Sequence, residues 1–206
     1  MGGAVKYSVG LALVAGVLVA GCAVEPRSAA PPPQIPTIVA PTSVTRVPVM
    51  ADRPLPAGCD EIIPGDQVNQ AVGQELPGSG QEIVGVPEES LGRTGKIDCY
   101  YGIPPGRPIA AALVIVGLAT YEDELTARGR VTESIEVERS EGAQISDVEV
   151  GRQRGNLVVN GQERLLIGSL GKTTFVVRAK IGVLPEDKVG PVLAGLAVQT
   201  MTAPIS

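Results

Sequence analysis

Hydrophobic and polar positions divide the chain into three stretches. Tyr7 to Ala20 is an apolar run of fourteen residues behind Lys6. That is short of the roughly 20 residues that span a bilayer and within the range of the hydrophobic core of an export signal. Ala23 to Pro56 has no periodicity of either kind. Beyond it, as far as Met201, most of the chain is periodic, with gaps at residues 77–95 and 130–143.

Within the periodic part, Asp60 to Glu75 places Ile62, Ile63, Val68, Ala71, Val72 and Leu76 at mixed three and four spacings. Such spacing predicts a short helix that stops at Gly73. Residues 77–95 hold little pattern and predict a loop, with one weak strand at Glu82 to Val86. Lys96 to Ile103 alternates, Ile109 to Thr120 is rich in Val and Ile, and Pro104-Pro105-Gly106 turns between them, so the two form a strand pair. Tyr121 to Arg128 begins acidic and ends basic, as a helix dipole favours, and reads as a helix ended by Gly129. Residues 130–143 give no clear pattern. Four strands follow, Gln144 to Gly151, Asn156 to Asn160, Gln162 to Gly168 and Thr173 to Lys180, with the hairpin signal Asn160-Gly161 among them. Pro185 then opens a last helix, whose Val189, Val192, Leu193, Leu196, Ala197 and Met201 form an apolar stripe. Grouped strands with helices before and after predict an α+β domain over 57–201. Its antiparallel sheet has flanking helices in two layers, with one sheet face covered, and 202–206 are a tail.

The first apolar run ends in Leu18-Val19-Ala20-Gly21-Cys22. It resembles the bacterial lipobox, an aliphatic residue three before a cysteine and two small residues between. The resemblance implies that 1–21 are a lipoprotein signal peptide and that the thiol of Cys22 is diacylglycerated and becomes the new N-terminus. Two acyl chains give the stable attachment that one cannot, at about 0.8 kcal/mol per buried methylene. Residues 22–56 then form a disordered linker, with nine of the eighteen prolines between Ala23 and Pro56. Prolines pre-set extended backbone, so at about 3.1 Å per residue the stretch reaches roughly 100 Å from the bilayer.

Composition narrows the chemistry. Histidine is absent, which removes His-based triads and His-containing zinc sites. A formal net charge of -5, with no local Lys and Arg cluster, excludes nucleic acid as a partner. Cys59 and Cys99 are the only cysteines besides Cys22, and in an exported chain such a pair is most simply a disulfide.

Three motifs invite chemistry and fail on their context. Gly168-Ser169-Leu170-Gly171-Lys172-Thr173-Thr174 has Leu166 where a phosphate-cradling loop needs its first glycine, and a strand pattern follows instead of a helix. Glu122, Asp123, Glu124, Glu133, Glu136, Glu138 and Glu141 lie among Arg128, Arg130 and Arg139, the mixture of a solvated face. Ser169 with Lys172 lacks the companion motifs of a Ser-Lys nucleophile. No catalytic, cofactor-binding or metal-binding residue is therefore assigned.

Lipobox, Pro-rich spacer, Cys59-Asp60-Glu61-Ile62-Ile63-Pro64-Gly65-Asp66-Gln67-Val68 leading to Gly73, and Cys99 followed by Tyr100-Tyr101 together resemble the DUF3558-type lipoproteins of actinobacteria. The resemblance implies a fold similar to the Mog1 and PsbP type and carries no catalytic residue. The expected function is a non-enzymatic lipoprotein, anchored on the extracytoplasmic face of the cell membrane, whose domain binds an envelope protein or wall component. The alternatives are a carrier of lipid or a small apolar ligand, with a pocket under the last helix, and third a hydrolase that works without histidine.

Overall fold

In the computed structural model, which describes residues 49–203, alternation along the strands builds one seven-stranded sheet. The strands are β1 (Gln81–Gly85), β2 (Arg93–Tyr101), β3 (Val114–Tyr121), β4 (Gln144–Val150), β5 (Gln153–Val159), β6 (Glu163–Leu170) and β7 (Thr173–Lys180). Their order is β1-β2-β3-β7-β6-β5-β4, and every neighbouring pair is antiparallel. Three helices join them: α1 (Gly65–Val72), α2 (Glu124–Ser140) and α3 (Val189–Thr200). The domain is thus a mixed α/β fold with a wholly antiparallel sheet. Cys22 and the export and spacer sequences up to Pro48 lie outside the described residues.

The two sheet faces bury different helices. On one face Ile97, Cys99, Val116, Leu118, Leu166, Phe175 and Val177 pack with Val68 of α1 and with Leu193, Leu196 and Ala197 of α3. On the other, Val158, Leu165 and Ile167 meet Val131 and Ile135 of α2, while Ala119 and Tyr121 meet Ala127. The single-face covering expected from the sequence is therefore wrong: helices cover both faces, and the layers number three. The cause is that α2 does not stop at Gly129. It runs seventeen residues, starting behind Asp123, whose carboxylate accepts a 2.7 Å hydrogen bond from the Thr126 N–H. That bond holds the Asp123 carboxyl below the usual carboxylate range. Gly129 costs about 1 kcal/mol inside a helix, but its position faces open space. The pairs Glu124–Arg128, Arg130–Glu133 and Glu136–Arg139 line the exposed surface of the same helix, each supporting it by about 0.3 to 0.5 kcal/mol. Residues 130–143 are thereby mostly helix.

The other elements follow the pattern with shifted ends. The first helix is confined to Gly65–Val72, preceded by a 3-10 turn at Cys59–Glu61, and Gly73 ends it at φ 77°. Glycine suits that left-handed cap because it has no Cβ. The weak strand at 82–86 is β1, and residues 77–95 also hold the start of β2. The motif around Gly168 lies at the end of β6, and Gly171-Lys172 turns into β7.

The sequence boundary of the domain moves as well. Residues 50–56, expected at the end of the linker, are docked as a strap along one end of the sheet. Ala51 N–H donates to the Met201 carbonyl, and the Asp52 carboxylate accepts from Lys172 N–H and the Thr173 hydroxyl, at 3.0 and 2.8 Å. Arg53 is buried and donates to the carbonyls of Thr200, Thr202 and Glu61. Burial lowers its pKa despite nearby Glu61, and the three carbonyls supply the acceptors a buried guanidinium needs. Gly171 at φ 57° lets the Asp52 carboxylate lie directly against the turn. The folded unit thus starts near Met50, seven residues upstream of the expected position.

Candidate interaction surface

The sequence-predicted pair Cys59 and Cys99 forms a disulfide, with a Cα–Cα separation of 5.6 Å. Cys99 is fully buried in the middle of β2, and Cys59 sits in the 3-10 turn behind the strap. The bond therefore fixes the turn to the strand beside the sheet edge. Two hydrogen bonds complete this corner. The Tyr101 hydroxyl donates 2.6 Å to the Ile63 carbonyl, and the Cys59 N–H donates 3.0 Å to a Glu82 carboxylate oxygen on β1.

Between these elements lies an open cleft of about 570 Å³, whose lining includes Asp60, Glu61, Gly65, Gly80, Gln81, Glu82 and Tyr101. Its charged lining residues are all acids. Tyr101 is the one side chain here with a clearly displaced titration. Burial, and secondarily the charge of Asp60, push its phenol well above the ordinary tyrosine range. Tyr101 is thus held neutral and donating. Because its folded pKa is raised, the stability it contributes is fully present below about pH 10 and is lost as pH rises through that of the folded phenol. Tyr101→Phe leaves the Ile63 carbonyl without its donor and is expected to cost about 1 to 3 kcal/mol at neutral pH. Urea titration at pH 7 and pH 11 checks both: the mutant and native proteins should differ less at pH 11. An equal gap at the two pH values counts against the assignment.

Next to the cleft runs β1, the edge strand. Ile83, Val84 and, just beyond the strand, Val86 are 45%, 63% and 76% exposed. The opposite edge, β4, differs: Val148 and Val150 pack under α3, Ile145 packs beside α2, and the polar Gln144, Ser146, Asp147 and Glu149 occupy the remaining positions.

Two other clefts flank α2. One, of about 400 Å³, has mixed charge, with Lys96, Arg130, Arg178, Glu133 and Glu138 in its lining. The second, about 470 Å³, is lined by Arg128, Arg152, Arg154, Asn156 and Ser169 among others. Arg128 there is paired with Glu124, and Arg154 lies 3.6 Å from Asp147. Lys172 stands in the β6–β7 turn, and nothing joins it to Ser169 as base to nucleophile. Among the described residues no three His, Cys, Asp or Glu side chains gather as a metal site, and no helix is long and apolar enough to cross a membrane. None of these clefts is lined by α3.

The fold and this corner define a disulfide-pinned, mixed α/β domain with an exposed apolar sheet edge. No protein-family model matches the chain, and no curated protein matches it. Among solved structures the chain is similar to the extracellular domain of PknH from Mycobacterium tuberculosis. The TM-score is 0.42 at 12% identity, over 68% of this chain and 93% of that one.

Proposed function

We propose that this chain is a lipid-anchored envelope lipoprotein of the DUF3558 type. Its domain, similar in fold to the Mog1 and PsbP type, serves as a non-enzymatic binding or adaptor module on the extracytoplasmic face of the membrane. The observation that carries the reading is the Cys59–Cys99 disulfide, because such bonds persist in oxidising compartments and are rare in the cytosol. The lipobox Leu18 to Cys22 supports the same address and supplies the anchor. A carrier of lipid or small apolar ligands is the weaker reading. Leu193, Leu196, Ala197 and Met201 are fully buried where that reading needs a pocket, and packed side chains there favour a binder.

Metabolic labelling with palmitate in the native host tests the anchor. The native chain is expected to carry the label in the membrane fraction. Cys22→Ala should lose it and be released or retained unprocessed. Label retained on the mutant, or free thiols at both Cys59 and Cys99 in protein isolated without reductant, would overturn the reading.

A further inference from the structure

The exposed edge of β1 is the feature of the domain that its fold leaves unexplained. Edge strands present unpaired N–H and C=O groups, and proteins ordinarily blunt them with lysine, proline, bulges or a covering segment. Among the described residues strand β1 shows none of these between Gln81 and Gly85: it is regularly paired with β2 and carries Ile83 and Val84 exposed on opposite faces. Among the described residues no hydrogen bond reaches its outer side. Its one charged residue, Glu82, is turned toward the Cys59 N–H.

Charge decides what fits there. Asp60, Glu61 and Glu82 line the cleft at the start of the strand with no base among the lining residues, and Glu88 and Glu89 follow Pro87 at its other end. Of these, Glu88 is neutralised by Arg93 at 2.6 Å and Glu61 lies beside the buried Arg53, which leaves Asp60 and Glu82 to carry the charge of the cleft. A second copy of this chain is a poor occupant. In the antiparallel register centred on Ile83, Glu82 of each copy would lie diagonal to Glu82 of the other on one face, roughly 7 to 8 Å apart, where like charges repel. An extended segment with apolar residues beside Ile83 and Val84 and a basic side chain over Glu82 meets no such penalty.

We propose that β1 is a strand-addition site for an extended, apolar and basic segment of a partner protein. Main-chain hydrogen bonds supply the affinity, and the acidic cleft selects a Lys or Arg at the Gln81–Glu82 end. The disulfide and the Glu82 bond to the turn hold that cleft in place before a partner arrives, which reduces the ordering cost of binding. The proposal rests on the reading of the domain as a binding module and gives it a site and a partner chemistry.

The test uses the full chain in detergent and a capped heptapeptide, Arg-Val-Val-Thr-Val-Val-Arg, which in either direction sets Arg over Glu82 and Val beside Ile83 and Val84, against its counterpart with Glu in place of Arg. Hydrogen exchange at the β1 amides is expected to slow by about tenfold with the basic peptide and to change little with the acidic one, with the effect weakening as salt is raised. Val84→Lys places a charge on the exposed edge and should abolish the protection. Glu82→Gln keeps an acceptor for Cys59 N–H but should lower the affinity for the basic peptide by about tenfold. Equal response to both peptides, protection that bypasses β1, or protection without peptide that grows with protein concentration, the mark of a second copy, overturns the proposal. Palmitate labelling at Cys22 and the state of the cysteines are read independently, so failure of this site is distinguishable from failure of the lipoprotein reading.

Discussion

Replacing both Cys59 and Cys99 by alanine is expected to remove about 4 kcal/mol of stability, the chain-entropy value for a loop of that length. The cysteines are 40 residues apart, and the loop they close contains the 3-10 turn, α1, β1 and most of β2. Without the bond, the strap and turn lose their cross-link to β2 and stay joined to the sheet only through the chain that runs by α1 into β1, a strand paired along one side alone. Cys99 is fully buried, so alanine there adds a small packing loss to the entropic one. Such a change is a large share of the roughly 5 to 15 kcal/mol that ordinary domains possess. Equilibrium unfolding in urea, with and without reductant, measures it. The reduced native chain should fall close to the double mutant, and a difference below about 1 kcal/mol between oxidised and mutant proteins would mean that the loop is already constrained by packing.

Much of the sheet was legible because half-buried strands write their own period. Thr173 to Lys180 alternates Phe175, Val177 and Ala179 against Val176, Arg178 and Lys180, and the alternation is β7 to the residue. The last helix was equally legible from Val189, Leu193, Leu196 and Ala197, all of which are buried. Helix α2 hid itself. Its buried stripe is only Ala127, Val131 and Ile135, two of them β-branched and one small, within a surface of alternating acids and bases. A glycine one turn in resembled a stop, because whether Gly129 faces water or a neighbour is a tertiary fact.

The site was legible in part. Cys59 and Cys99 could be paired by elimination, and the solvated reading of the α2 acids holds through their ion pairs with Arg128, Arg130 and Arg139. The strap was not legible, since Asp52 and Arg53 find their partners at Thr173 and Thr200, 121 and 147 residues away. Local composition near Pro54 and Pro56 speaks for extended backbone and says nothing of what that backbone lies against. The apolar edge was hidden for a related reason. Gln81 to Val86 reads as a weak strand, but its place at the end of the order β1-β2-β3-β7 follows from pairings that only the assembled sheet fixes.

Leu193→Ala is expected to cost about 2 to 5 kcal/mol, the range for truncating a buried leucine whose surroundings close only partly over the gap. Leu193 is fully buried, and its core includes Leu196, Ala197 and Met201 from the end of the chain and Val177 and Phe175 from β7. The loss should spread beyond α3, because the end of that helix also receives the strap: Arg53 donates to Thr200, and Ala51 to Met201. A helix loosened at Leu193 lets go of both. If α3 were instead a lid over a lipid pocket, few atoms would lie beneath Leu193, and truncating it would change ligand retention more than stability. Thermal unfolding of the mutant, delipidated and with added lipid, separates these. A domain of this size shifts its midpoint by about 2 to 4 °C per kcal/mol, so the packed core predicts a fall of at least about 4 °C that added lipid does not restore. A fall under about 2 °C without lipid, together with weakened lipid retention, would move the function from binder to carrier.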